Sequence, residues 1–151
     1  MAQAIEHIDV DVPVAVSYNQ WTQFEEFPKF LDEVESIKQE TETLTVWTVK
    51  VGPVTEQFEA VITEQHPDER VAWTSTGGSV DHAGVVTFHK LAPDETRVTV
   101  QLDWEAKGVL EKLGSALGSD NRAVKKDLKN FKEYIEAKGS ADGSWRGEVK
   151  N

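Results

Sequence analysis

Apolar and polar positions change period twice along the chain, and the two changes mark out its elements. Residues 3–12 mostly alternate, Ala4, Ile8, Val10 and Val12 against polar neighbours, which predicts a strand with one buried face. Pro13 follows, and Val14, Tyr18 and Trp21 then recur at helical spacing to about Phe24; proline suits such a junction because the first helical turn needs no backbone donor there. A second short helix is expected around Phe27 to Leu31, with Pro28 at its start. From about residue 34 to 105 the period is two. Candidate strands are 34–40, 43–51, 54–65, 70–76, 81–90 and 96–105, separated by short links such as Gly52-Pro53, Pro67-Asp68-Glu69, Gly77-Gly78 and Pro93-Asp94. Links this short favour an antiparallel meander. The second change is to a period of 3.6: Val124, Leu128, Phe131 and Ile135 form one apolar stripe on a helix capped by Asp120 or Asn121 and stopped at Gly139. Residues 106–119 stay ambiguous between helix and loop, and residues 140–151 read as a flexible tail that Trp145 could anchor.

The fold class expected is α+β, one domain over residues 1–139: a seven-stranded curved antiparallel sheet wrapped around a long C-terminal helix, with two short helices between strands 1 and 2. A sheet with one apolar face needs a cover, and the C-terminal helix carries the stripe to provide it. At 151 residues a single core is the default, able to bury roughly 70% of the surface an unfolded chain exposes.

Period two also selects the side chains that face the helix. They are Trp47, Val49 and Val51; Phe58, Ala60 and Ile62; Val71, Trp73 and Ser75; Gly84, Val86 and Phe88; Val98, Val100, Leu102 and Trp104. With Val124, Leu128 and Phe131 from the helix they enclose either a packed core or a cavity. Large aromatics beside Ala60, Ser75 and Gly84 suit an elongated apolar ligand held by a few polar groups, but they also suit large residues filling the space left by small ones.

Composition narrows the chemistry. The formal charge of −11 disfavours general attraction to nucleic acid or anionic membrane, and with no cysteine there is no disulfide framework, thiolate nucleophile or zinc finger. No segment approaches the ~20 apolar residues that cross a bilayer, and residues 1–7 lack the pattern of a signal peptide, so a cytoplasmic location is the default expectation. His7, His66, His82 and His89 show no metal-ligand spacing, and no metal or cofactor is implied. Glu25-Glu26 and Glu33-Glu35 read as solvated acidic faces. Ser17, Ser75 and Ser79 sit in no nucleophile elbow. Residues 122–138 carry six basic and three acidic side chains, either a solvated helix face or a docking surface.

Three longer stretches carry a resemblance. Val10-Asp11-Val12-Pro13 leads into Tyr18-Asn19-Gln20-Trp21-Thr22-Gln23-Phe24-Glu25-Glu26-Phe27-Pro28-Lys29-Phe30; Ile62-Thr63-Glu64-Gln65-His66-Pro67-Asp68-Glu69-Arg70-Val71-Ala72-Trp73 and Ala83-Gly84-Val85-Val86-Thr87-Phe88-His89 follow. Over residues 3–138 the chain resembles the START-like, or helix-grip, superfamily, in particular the bacterial polyketide cyclase/dehydrase group and the related coenzyme Q-binding START domains. The resemblance implies the helix-grip fold and a hydrophobic small-molecule partner, such as a lipid, quinone or polyketide, between sheet and helix. It also implies an alternative, a cyclase or dehydratase acting on a polyketide chain. The polyketide-closing branch is associated with a tyrosine shortly after the Phe-Pro segment and an arginine on a grip strand; here the first position holds Val34, and 54–65 contains no arginine. A stress-related interaction module using the basic helix face, and a homodimer through exposed sheet edges, remain further readings.

Overall fold

The computed structural model describes residues 2–51, 54–78, 80–106 and 121–149. Strand β1 (Ala2–Val10) runs into helix α1 (Val14–Trp21) and a 3-10 helix (Phe24–Lys29). Six strands follow: β2 (Val34–Gln39), β3 (Leu44–Val51), β4 (Val54–His66), β5 (Arg70–Gly78), β6 (Val80–Ala92) and β7 (Glu95–Ala106). Helix α2 (Asn121–Lys138) follows them. All seven strands join one antiparallel sheet in the order β1-β7-β6-β5-β4-β3-β2. The expected meander accounts for β2 to β7, and β1 closes the order by pairing with the last strand, Ala4 opposite Leu102 and Ile8 opposite Val98. This is the α+β helix-grip architecture.

Local sequence explains the element ends. Pro13 precedes α1 with an extended backbone, and its carbonyl accepts from the Val16 and Ser17 N–H groups. The helix stops at Thr22, whose hydroxyl turns back to the Asn19 carbonyl at 2.6 Å. Pro28 lies inside the 3-10 helix rather than at its start, so the short helix begins earlier than expected. Gly139 closes α2 with φ +68°, its N–H donating to the Ile135 carbonyl at 2.8 Å, a conformation glycine adopts without strain. Gly77 and Gly78 belong to the end of β5 instead of forming a turn. The ambiguous segment 106–119 falls, except for Ala106, outside the described residues.

The concave face of the sheet is lined in rows set by register. Ile62, Trp73, Gly84, Leu102 and Ala4 stand side by side across five strands, and Val71, Val86 and Val100 form the next row. Irregularities in β4 pairing at Glu59/Ala60 and Ile62/Glu64 bend the strand and curl the sheet. Helix α2 lays Val124, Leu128, Phe131 and Ile135, all buried, onto the core. Its register is held by polar clamps: Lys132 donates to the Asp9 carbonyl at 2.9 Å, Glu136 accepts from the Asp11 N–H at 2.8 Å, and Asn130 donates to the Phe30 carbonyl at 3.3 Å.

Residues 140–149, expected to be a flexible tail, lie against α1 and β4. Asp142 and Gln20 exchange two hydrogen bonds of 2.9 Å, the Trp145 N–H donates to Thr22 Oγ1, and Val149 bridges to Gln65. Several cations of α2 pair with the chain's own acids, Lys126 with Asp32 and Lys132 with Glu136. No helix among the described residues is long and apolar enough to cross a membrane.

Candidate functional site

An apolar cleft lies between the concave face, the N-terminal helices and α2. Its wall is made by Trp21, Leu31, Val34, Trp47, Val49, Trp73, Val100 and Leu102, and its polar contributors are Glu33, His82 and Asp127. The free volume is about 40 Å3, room for a few waters. A smaller lobe of about 10 Å3 continues along Trp21, Leu31, Val100 and Leu102 to Val124 and Leu128 on α2.

Aromatic packing makes the cleft narrow. Trp47 and Trp73 lie 5.7 Å apart between centroids; Phe58 stacks on Trp47 at 5.5 Å, and Phe27 stands edge-on to it at 6.0 Å. Gly84 is the reason Trp73 lies flat on the sheet: a Cβ at this position would stand 2.3 Å from Trp73 Cζ2. Large residues therefore fill the space left by small ones over most of the interior, and the cleft is what remains beside Trp47, Trp73 and α2. Both indoles are anchored by hydrogen bonds. Trp73 Nε1 donates to His82 Nε2 at 2.8 Å, and Trp47 Nε1 donates to Thr45 Oγ1 at 2.9 Å, which donates in turn to the Ala60 carbonyl.

Two ionisable groups in the cleft are strongly perturbed. Burial pushes the His82 imidazole down to about 3, against a weaker upward pull from the Asp103 backbone, so the ring is neutral and accepts from Trp73. Asp127 is pushed up to about 9, first by burial and then by the negative charge of Glu33 and a hydrogen bond with it; the Asp32 N–H, 3.4 Å from Oδ1, works the other way. At neutral pH Asp127 therefore keeps its proton. Among the described residues no basic side chain lines the cleft.

The sequence-selected residues divide into three groups. Trp47, Val49, Trp73, Val100 and Leu102 line the main lobe, and Val124 and Leu128 line the smaller one. Phe58, Ala60, Ile62, Val86, Phe88 and Phe131 are buried in the surrounding core, and Gly84 lies beneath Trp73. Ser75 spends its hydroxyl on the His82 N–H at 2.9 Å. The side chain of Trp104 lies outside the described residues. Sequence reasoning missed Trp21, Leu31, Glu33, Val34, His82 and Asp127 as cleft residues, Val34 entering only as the position matched to a family tyrosine. A signal existed for two of them. His82 shares the period-two phase of Gly84, Val86 and Phe88, and Asp127 interrupts the apolar stripe, three residues after Val124 and four before Phe131. Glu33 was read as part of a solvated acidic face; the cleft corrects this, because the bend before β2 turns its carboxyl toward α2.

Comparison with known proteins places this geometry. The profile of the family described as polyketide cyclase / dehydrase and lipid transport matches residues 10–133. The chain belongs to this family. A relative from Streptomyces lincolnensis, an uncharacterized 17.2 kDa protein in the melC2-rnhH intergenic region, is 52% identical over 149 residues, 99% of each chain. Structures of family-like proteins superpose closely at low identity. A Deinococcus radiodurans protein matches with a TM-score of 0.76 at 21% identity, covering 91% of this chain and 99% of its own. The Zhui aromatase/cyclase of Streptomyces sp. R1128 matches at 0.73 and 13%, over 95% and 98%. A START superfamily protein of Mycobacterium smegmatis matches at 0.70 and 14%, over 90% and 95%. At such identities the likeness is one of fold alone, and the site has to carry the rest.

Proposed function

We propose that the protein binds an apolar or amphipathic small molecule in the cleft between the curved sheet and α2, acting as a container. The observation that carries this reading is the wall of Trp21, Leu31, Val34, Trp47, Val49, Trp73, Val100 and Leu102, broken by three polar side chains. Removal of ligand surface from water, at roughly 25 cal/mol per Å2, supplies the affinity, and the polar groups orient what is bound. Because the free volume holds only a few waters, a ligand of lipid, quinone or polyketide size enters by widening the cleft between α2 and the Leu31–Val34 bend, so binding and opening are coupled.

A polyketide cyclase or dehydratase remains the alternative, on family membership. Among the described residues no lysine or arginine lines the cleft to hold an enolate oxygen, and His82 spends its basic nitrogen on Trp73, which favours the container. Comparison of native and denatured masses of gently purified protein tests the reading. A discrete lipid, quinone or polyketide released by solvent at near-stoichiometric occupancy supports it. A bare polypeptide whose melting temperature is unmoved by a panel of such molecules refutes it, since any ligand that binds only the native state raises that temperature.

A further inference from the structure

The polar groups of the cleft converge from three separate elements. Asp127 comes from α2, Glu33 from the bend before β2, and Trp21 from the end of α1. Asp127 is only 6% exposed, and its carboxyl is hydrogen-bonded to that of Glu33. Two carboxyl groups in such contact cannot both be ionised cheaply, so the buried Asp127 keeps a proton beside Glu33. Lys126, the nearby cation, lies outside the cleft and is engaged by Asp32 at 3.0 Å.

Trp21 is the second, independent observation. It is 2% exposed, lines both lobes of the cleft, and its indole Nε1–H has no hydrogen-bond partner among the described residues. The other two indoles of the cleft, Trp47 and Trp73, both have acceptors. A buried donor without an acceptor is rare in a native interior and calls for an explanation. Here it shares a cavity with a carboxyl pair that has lone pairs to spare.

We propose that the cleft selects an uncharged apolar molecule bearing a hydroxyl group, an alcohol or a phenol, whose oxygen accepts from Trp21 Nε1–H while its proton is donated to the Glu33–Asp127 pair. The proposal rests on the container reading and adds the headgroup chemistry to it. A hydroxyl is both donor and acceptor, so it answers both sides of the site at once. A carbonyl or ether answers only Trp21. An ammonium answers only the carboxyl pair. A carboxylate brings a negative charge against that acidic pair in a low-dielectric setting where, among the described residues, no lysine or arginine lines the cleft to offset it.

The test uses four probes with one alkyl chain: octanol, methyl octyl ether, octanoate and octylamine, titrated at pH 7 into the full chain. Binding is read by calorimetry and by indole 15N–1H spectra, with the Trp21 signal assigned from Trp21→Phe. Octanol is expected to bind about tenfold tighter than the ether and the octanoate, the scale of discrimination when a buried hydrogen bond is lost. It should also move the Trp21 indole proton downfield more than those of Trp47 and Trp73. Trp21→Phe should weaken octanol and the ether alike, by about three- to tenfold, and leave in place the octanol-over-ether preference, which the donation to the carboxyl pair carries. In Glu33→Gln/Asp127→Asn, a near-isosteric change of a pair that already holds a proton, the penalty on octanoate should disappear. Equal affinity for octanol and ether, octanoate binding as tight as octanol, tighter binding of octylamine, or an unmoved Trp21 signal with probe bound each overturn the headgroup assignment while the apolar container stands. If none of the four binds and no indole signal moves, both readings fall.

Discussion

Substitution of Gly84 by alanine tests the packing that leaves the cleft where it is. The added Cβ would lie 2.3, 2.5 and 3.0 Å from Trp73 Cζ2, Cε2 and Cη2, where ordinary contact needs about 3.5–4 Å. The indole must therefore lift off β6 by roughly an ångström, and it has few ways to do so. Phe24 stands edge-on to it at 5.8 Å, Phe27 lies 6.0 Å away and Trp47 5.7 Å, while its Nε1–H is committed to His82 Nε2 at 2.8 Å. Overpacking of a filled core costs about 1–3 kcal/mol. Loss of the His82 acceptor's partner in a fully buried position adds about 1–3 kcal/mol. The expected loss of stability is thus about 2–6 kcal/mol, measured by urea denaturation monitored by tryptophan fluorescence. The Trp73 indole signal should shift with it. The coupled variant Gly84→Ala/Trp73→Phe should be markedly less unstable than the sum of its parts, because the smaller ring removes the clash. A loss below about 1 kcal/mol with an unmoved Trp73 signal, or strict additivity in the double variant, would refute this account of the interior.

Three further outcomes follow from the charged and polar groups. Asp127 is held at about 9 against an ordinary value near 4, so between those pH values the native state keeps a proton that the unfolded chain releases, and stability falls as pH rises; Asp127→Asn should gain on the wild type from pH 5 to pH 8.5 in urea midpoints, and a constant difference would refute the retained proton. His82 has the opposite sign. Its value of about 3 lies below the ordinary 6.5, so the unfolded chain takes up a proton the native state refuses, and stability falls as pH drops from about 6.5 toward 3; His82→Gln should lose less than the wild type over this range, and parallel curves would speak against a buried neutral ring. Asp142 is pushed up by burial, but the hydrogen bonds from Lys138, Tyr134 and Gln20 outweigh this and hold its carboxyl well below the usual range. Its contribution is therefore present above about pH 4 and is lost as pH falls further, so Asp142→Ala should cost about 1–3 kcal/mol at pH 7, through the stranded side chain of Gln20, and progressively less in acid. Circular-dichroism melts at both pH values check this.

The sequence by itself determined the elements and their faces. Alternation is a local property, and each apolar residue of β3 to β7 declares its face whatever the strand pairs with, so the sheet, its cover by α2 and the buried set from Trp47 to Leu102 could all be read in advance. The stripe Val124, Leu128, Phe131 and Ile135 did the same for the helix. Tertiary structure decided what those faces meet. That β1 pairs with β7, that Trp73 lies on Gly84, and that His82 is buried deeply enough to stay neutral depend on register and depth, which no periodicity encodes. The cleft's polar site is the clearest case. Glu33 is an ordinary solvated acid by local pattern, Asp127 only an interruption of an apolar stripe, and Trp21 an ordinary aromatic of a short helix. Their chemistry exists only because the bend before β2, the end of α1 and the middle of α2 converge, where the loss of water makes Asp127 keep a proton beside Glu33 and turns one indole into a donor awaiting a partner.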